Sequence, residues 1–438
     1  MTTERLRTDT RSEDWSSFYK LWLGSTATLY VEQFISFAIP LLLVTQTGAS
    51  VTTGQFVTFL YFVPYLIFGL NAGVWLEGKS HTRSVNIAAI GQTLLLVLLF
   101  IGLHLWSDSP SLFVGFVLIS GIIAVFFQIS FQSILPDLFA VRDNLYSANS
   151  KLALSDSITR VIGPASAGAL IAWLSPSGSV AAVTMLSLLA ALSFIVIRRP
   201  KHEKPSTPKT ATEKTGTLIR EGLDFVRTHR WLNPIILCGA YYIIFVTAIK
   251  TTVSLYLVDS GKASVSAVGI IISMIAAGYG LGSIIGRSSA KRSGARRTLQ
   301  IGALFATIGA AAASFGAVAV GNTSAIPWVC GAAFLLHGLG DGIFAPTALS
   351  VRQIATPKNF MSRVTSVHRF FIWGGMSLGG LLAAIVTFAT SPGVALVVMS
   401  FGIWGTLPIL YRKNLAIHRT KGATPYERDP EVAFLDAQ

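Results

Sequence analysis

Twelve long apolar segments run through this sequence, and they constrain its fold more than any other feature. A helix needs about 20 mostly apolar residues to cross the hydrocarbon of a membrane, and each segment is near or above that length. The sequence therefore predicts an all-α membrane protein with twelve transmembrane helices, at 17–44, 53–76, 85–106, 111–135, 148–173, 178–197, 232–257, 265–286, 298–320, 326–350, 364–388 and 393–411.

The composition agrees with this class of protein. Of the 438 residues, 52% are hydrophobic and only 12% are charged, with a mean hydropathy of +0.61, which lies outside the usual balance of a soluble domain. Residues 1–16 are polar and the first apolar run is long enough to span, so we expect no cleaved signal peptide. Cys238 and Cys330 both lie in apolar runs, which favours structural roles over a disulfide or a metal site.

Basic residues predict the topology. Of the 34 Lys and Arg, all but four lie in the tails and in loops that would share one side of the membrane. Lys262 is in a loop on the other side, and Arg160, Lys250 and Arg369 fall inside predicted spans. The positive-inside rule places both termini and the middle loop in the cytoplasm, as expected of a cell-membrane protein. Because the net charge of +14 is spread over topology-setting loops, we predict no nucleic-acid partner.

The chain divides into two halves around a linker that is rich in Lys, Thr and Pro, with a predicted helix at 218–228. A basic segment follows the second span of each half, GVWLEGKSHTR at 73–83 and GRSSAKRSGARR at 286–297. The predicted organisation is a cytoplasmic tail, a six-helix half, the cytoplasmic linker, a second six-helix half and a cytoplasmic tail, at 1–16, 17–197, 198–230, 231–411 and 412–438.

This arrangement resembles the major facilitator superfamily of secondary transporters over residues 15–415. The resemblance implies two halves that rock around a midplane site, with no enzymatic activity. It also implies a conformational latch at the turn after the second span, formed by Gly73, Glu77 and Arg83. Glu77 replaces the family's usual Asp, and in the second half Ala290 takes the acid's place. The alternative is that these charges serve topology alone.

A second resemblance concerns the fifth span, which contains RVIGPASAG. This stretch is similar to the fifth-helix signature of the antiporter branch, whose members export their substrates. Arg160, Gly163, Pro164 and Gly168 carry the likeness, while Ala167 replaces a glycine. A purely structural seam of small residues would read the same way. Residues 136–168 resemble the macrolide-efflux and enterobactin (siderophore) exporter group, although the fourth span lacks the basic residue common in drug antiporters.

Ionisable groups inside a membrane are rare and are candidates for function. Glu32 lies near the middle of the first span and shares a helix face with Ser25, Thr28 and Ser36. Gln33 lies on the adjacent face. The hypothesis is that Glu32 couples transport to protons or recognises a cation; the alternative is a permanent structural ion pair.

Lys250 lies on the seventh span, the repeat counterpart of the first. It is expected either to pair with Glu32 in one conformation only or to extend to the membrane interface. Asp156 and Arg160 are four residues apart, a spacing that predicts a local ion pair on one helix face.

Asp341 is the second candidate for a proton-binding group, with His337 one helical turn before it. Gly338, Gly340 and Gly342 around it predict a loose helix with exposed backbone; the alternative is a glycine-packed structural site. Gln128 and Gln132, also one turn apart, are expected to line a cavity for an amphipathic ligand or to pack into neighbouring helices.

Together these features predict a monomeric, proton-driven exporter of amphipathic small molecules, with membrane lipid as its surroundings. No phosphate-binding loop of the Gly-rich Lys-Ser/Thr type occurs in the sequence, so an ion gradient is the expected energy source and no cofactor is predicted. An importer of the same fold and a non-transporting membrane sensor or scaffold are the alternatives.

Overall fold

A computed structural model describes residues 15–69, 75–76, 80–106, 109–138, 142–197, 215–321, 324–357 and 360–411. Within these ranges every regular element is helical. In chain order the helices are α1 Trp15–Thr47, α2 Val51–Phe68, α3 His81–Leu105, α4 Pro110–Leu138, α5 Arg142–Ile195, α6 Thr215–Thr228, α7 Leu232–Asp259, α8 Val265–Ala319, α9 Ile326–Ala355, α10 Met361–Ala389, α11 Pro392–Gly402, a short 3-10 turn Ile403–Gly405 and α12 Thr406–Tyr411.

The twelve predicted spans are recovered once two bends are counted. In the described part of the chain, ten helical stretches are long and apolar enough to cross a membrane, and α5 and α8 each bend into two limbs. The bends lie at Ser175 (φ 67°, ψ 166°) and Gly294 (φ 77°, ψ 163°). Both positions fall between predicted spans, so the all-α twelve-span fold is confirmed.

Serine side chains mark several helix starts. Ser50, Ser80, Ser264 and Ser391 each accept a hydrogen bond from the backbone N–H three residues later, which satisfies one of the free donors of a first helical turn. At the α5 bend the Ser175 hydroxyl accepts from Gly178 N at 3.3 Å. This cap helps to hold Ser175 in a backbone region that non-glycine residues rarely adopt.

Most apolar clusters belong to one half of the chain, while Leu41, Val44 and Val51 cluster with Leu255 of the other half. The halves meet most closely toward one end of the bundle. We call it the turn end, where residues 47–51 join α1 to α2 and residues 259–265 join α7 to α8. There α2 packs on α10 and the first limb of α5 packs on the first limb of α8. A Cβ at Gly168 would lie 2.8 Å from the carbonyl oxygen of Val265, so the backbones of the two halves touch.

The linker carries α6, which covers the predicted 218–228 helix and begins three residues earlier. Its Glu221 forms an ion pair with Arg363 at the start of α10. The ring of Phe225 stacks on Phe360, with centroids 4.9 Å apart. The linker helix is therefore attached to the second half.

Candidate functional site

Glu32 lies partly buried on α1 and bonds to a side chain of α4. Gln128 Nε2 donates to Glu32 Oε2 at 3.0 Å and to Oε1 at 3.3 Å. Tyr61 and Tyr65 of α2 lie within electrostatic range of the carboxylate. The structure thus brings together two of the predicted residues, Glu32 and Gln128, from different helices.

The hydroxyls of Ser25, Thr28 and Ser36, which share a helix face with Glu32, bond mainly within α1. The Thr28 hydroxyl donates to Gly24 O at 2.9 Å and the Ser36 hydroxyl to Gln33 O at 3.2 Å, a bonding pattern common for Ser and Thr in membrane helices. Ser25 is fully buried. Of these three residues, Thr28 lines the same cavity as Glu32.

The predicted export motif forms packing contacts on two sides. On one side, a Cβ at Gly163 would lie 2.6 Å from the Cβ of Gln33, so this glycine lets α5 approach α1. On the other side, the carbonyl of Pro164 fits against Gly269 of α8, and Ala165 N donates to Ser273 Oγ at 3.0 Å. These contacts agree with a seam of small residues, and the link between this motif and export stays a prediction.

Arg160 forms the predicted ion pair with Asp156, with Nε and Oδ2 2.9 Å apart. The side chains are 56% and 37% exposed although they lie within a span. Glu32 and Tyr279 of α8 are also within electrostatic range of the guanidinium. Because a charged pair inside a membrane protein faces water or the bundle interior, this pair indicates a polar space between the halves.

Lys250 does not pair with Glu32 in this conformation. Among the described residues no ion pair joins them, and the carboxylate bonds to Gln128 instead. Lys250 is exposed on α7 and lies within electrostatic range of Arg160. The hypothesis of a pair that forms in one state only therefore concerns another conformation.

Asp341 lines a small cavity in the second half, together with Tyr242 and Thr406. His337, one turn earlier on α9, bonds elsewhere: its Nδ1 is 3.0 Å from Ala306 O and 3.2 Å from the Tyr242 hydroxyl. The described contacts give no bond between His337 and Asp341.

The prediction of a loose helix around Asp341 is wrong. A Cβ at Gly338, Gly340 or Gly342 would overlap the backbone of α8. The two limbs of α8 pack against different sides of α9. These glycines permit close packing of helix backbones, as expected of a glycine-packed structural site.

Part of the predicted site lies outside the described residues. Gly73 and Glu77 of the proposed latch are among these, as is the side chain of Gln132 on α4. Arg83 lies exposed in the first turn of α3, where its backbone N donates to Ser80 Oγ at 3.2 Å.

Sequence reasoning missed a buried polar joint between the halves. Gln55 Nε2 of α2 donates to Thr252 Oγ1 of α7 at 2.8 Å and to Thr387 Oγ1 of α10 at 2.9 Å. The three residues are at most 5% exposed. The signal in the sequence is a lone glutamine in an apolar run, and the sequence does not show which helices its amide meets.

An aromatic contact between the halves was also missed. The rings of Tyr65 on α2 and Trp373 on α10 lie 4.0 Å apart between centroids. Phe68, Trp75 and Phe126 continue this aromatic surface within the first half, with centroid distances of 5.7 to 6.5 Å. Of this surface, Tyr65 is within electrostatic range of the Glu32 carboxylate.

Comparison with known proteins agrees with this architecture. The family model described as Major Facilitator Superfamily matches residues 21–380. The uncharacterized MFS-type transporter y4rN of Sinorhizobium fredii is 23% identical over 383 residues, covering 84% of this chain and 88% of that protein.

Two solved structures show the same fold. The nucleoside transporter NupG, solved as a point mutant, has a TM-score of 0.72 at 10% identity, covering 90% of this chain and 100% of that one. A bacterial homologue of the iron transporter ferroportin, in an inward-facing state, has a TM-score of 0.66 at 18% identity, covering 91% and 99%.

Proposed function

The chain belongs to the major facilitator superfamily, and we propose that it exports amphipathic small molecules in exchange for protons, by alternating access across the cell membrane. As a member of this family it is a multi-pass membrane transporter rather than an enzyme. The observation that carries the proposal is Glu32, an intramembrane acid of α1 that accepts a hydrogen bond from Gln128 of α4. A proton gradient supplies the energy, and the transporter acts as a monomer.

Closure of the halves at the turn end supports alternating access. The Gln55 joint and the contact of Gly168 with Val265 close that end, while the exposed Arg160–Asp156 pair lies deeper in the bundle. Alternating access requires one end to be closed while the other admits substrate. With cytoplasmic termini, as proposed from the basic loops, this conformation faces inward.

The surroundings of Glu32 support proton coupling. A carboxylate removed from water is costly unless several donors satisfy it, and Gln128 is the one donor that the described contacts give it. Proton binding relieves that cost, so the group is suited to bind and release a proton in a cycle. Asp341, beside Tyr242 in the second half, is the second candidate.

The aromatic surface near Glu32 supports an amphipathic substrate. The partly buried Trp373 packs on Tyr65, which lies within electrostatic range of the carboxylate, and an aromatic lining of this kind suits a molecule with an apolar body and a polar or cationic group. The resemblance of residues 136–168 to macrolide and siderophore exporters points to the same class. The iron and nucleosides named for the structural neighbours belong to those proteins.

The first test is a susceptibility panel in a host that lacks its own efflux pumps. Expression of the chain should raise tolerance to at least one amphipathic compound, and Glu32→Gln should abolish that gain. Glu221→Gln, the same change in the linker helix outside the membrane, is the matched control and should retain it. Equal tolerance with Glu32→Gln and with the unaltered chain would favour the sensor or scaffold alternative.

The second test measures whether substrate moves against protons or together with them. In proteoliposomes, substrate should accumulate when the interior is more acidic than the exterior, because each entering substrate is exchanged for an outgoing proton. Accumulation only with an alkaline interior would instead support a proton-coupled importer.

A further inference from the structure

Glu32 shares a cavity inside the first half with a second polar group, the side-chain amide of Gln92. The cavity is lined by residues of α1, α2, α3, α4 and the second limb of α5, among them Glu32, Tyr61, Gln92 and Phe127. It offers about 20 Å³ to the centre of a water molecule, and a buried water needs roughly 10 to 15 Å³ on this measure. The cavity beside Asp341 offers about 10 Å³, the lower limit.

Gln92 presents an unsatisfied donor to this cavity. Its side chain is 8% exposed, and the Ser120 hydroxyl donates to its Oε1 at 2.9 Å. That bond directs the amide, and Nε2 has no hydrogen-bond partner among the described residues. Buried amide groups are normally paired with protein or with ordered water, so Gln92 requires an acceptor.

Glu32 presents unused acceptors to the same cavity. A carboxylate has about four acceptor positions, and the described contacts give it the Gln128 amide alone, from α4. Two hydroxyls of the wall are already used, since Thr28 donates to Gly24 O and Ser187 bonds to Thr93, and the described contacts give no hydrogen bond to the Tyr61 hydroxyl, which also lines the wall. An occupant that donates to Glu32 and accepts from Gln92 would satisfy both groups.

We propose that Glu32 and Gln92 form a binding site for one hydroxyl oxygen, and that its occupant is an ordered water. Water donates to the carboxylate and accepts from the amide, and its size matches the cavity. Gln92, oriented by Ser120, is then a positioning residue for the group next to Glu32. Within the proposed transport function, on which this step rests, the water gives the Glu32 proton a route separate from the aromatic surface proposed for the substrate.

The test is a set of high-resolution structures in which other buried waters are visible. The unaltered protein should show density within hydrogen-bond distance of both Glu32 and Gln92. Gln92→Leu, which keeps the volume and removes the donor, should lose that density. Gln33→Leu is the matched control, since Gln33 packs against Gly163 instead, and it should retain the density. A dry cavity in the unaltered protein, or unchanged density in Gln92→Leu, would overturn the proposal.

A structure with saturating substrate separates the two sources of the oxygen. Density continuous with the substrate at this position would show a substrate hydroxyl and overturn the assignment to water. In transport assays, Gln92→Leu should slow proton-driven accumulation several-fold and leave substrate counterflow unchanged, because counterflow requires no net proton movement. Equal slowing of both would contradict the proton route, and the density measurement stands whether or not the protein exports.

Discussion

At the scale of single residues, the buried joint at Gln55 is the clearest link between the halves. Its amide donates to two threonine hydroxyls that belong to the other half, Thr252 and Thr387. In a helix bundle surrounded by lipid, such interhelical hydrogen bonds supplement packing by small residues. The joint must break when the turn end opens, so its strength biases the protein toward the present conformation.

Thr387→Val should weaken this joint. The substitution removes one acceptor and leaves a Gln55 donor buried and unpaired, which costs about 1 to 3 kcal/mol. We expect greater labelling of cysteines placed at the turn end and a lower melting temperature. Thr390→Val is the matched control, because the Thr390 hydroxyl is exposed and donates to Val386 of its own helix. Equal effects of the two substitutions would show that the joint is not specific.

His229 gives a pH dependence outside the membrane. Its Nδ1 accepts from Trp231 N at 3.2 Å and Leu232 N at 3.3 Å, and burial lowers the pKa of its imidazole. Below the unfolded value of about 6.5 the unfolded chain binds a proton that the folded chain resists, so stability should fall as the pH drops until the folded pKa is passed.

His229→Asn keeps a side-chain acceptor and removes the titration. As the pH falls from 7.5 to 5.5, the melting temperature of this variant should rise relative to that of the unaltered protein. A constant difference across that range would show that the His229 proton is not linked to folding.

At the scale of helices, close backbone contact between α5 and α8 holds the turn end shut. Gly269→Ala would place a methyl group against the carbonyl of Pro164, whereas Gly280→Ala, on the same helix, meets open space. Alanine is favoured over glycine in helices by about 1 kcal/mol, so Gly280→Ala should be neutral or stabilising. Gly269→Ala should destabilise the closed turn end, measured as higher accessibility of nearby cysteines. Indistinguishable variants would rule out this role for the contact.

The linker helix α6 is attached mainly by aromatic packing. Ion pairs at a surface contribute little, typically 0 to about 1 kcal/mol, so Glu221→Gln should have a small effect. Phe225→Ala removes the stacking on Phe360 and should release the helix. Limited proteolysis or hydrogen exchange over residues 215–228 should show faster cleavage or exchange in Phe225→Ala only. Protection that survives both substitutions would indicate that other contacts hold the helix.

At the scale of the whole molecule, transport should require the halves to separate at the turn end. Ala165→Cys with Ser273→Cys joins positions whose backbone N and side-chain oxygen are 3.0 Å apart. Oxidation should cross-link the halves and stop transport, and a reductant should restore it. The native Cys238 and Cys330 are buried and should not interfere, and each single cysteine variant is the control. Full transport by the cross-linked protein would contradict rocking of the halves.

The fold could be predicted from the sequence more completely than the site. Backbone groups in a membrane must bond within their own segment, so apolar length alone located the spans, and the bends at Ser175 and Gly294 fall between predicted segments. The partner of Glu32 depends on how α1 and α4 are rotated against each other, which neighbouring helices decide. The Gln128 bond was therefore not predictable, and the glycines around Asp341 were misread because looseness and close packing share one sequence pattern.

The glycine contacts of α9 also limit how molecules can reach the interior. Because the backbones of α8 and α9 touch at Gly338, Gly340 and Gly342, these helices leave no gap wide enough for a lipid tail along that stretch. A hydrophobic compound dissolved in the bilayer therefore cannot pass between α8 and α9 at these glycines. Lateral entry from the lipid, where it occurs, must use another pair of helices.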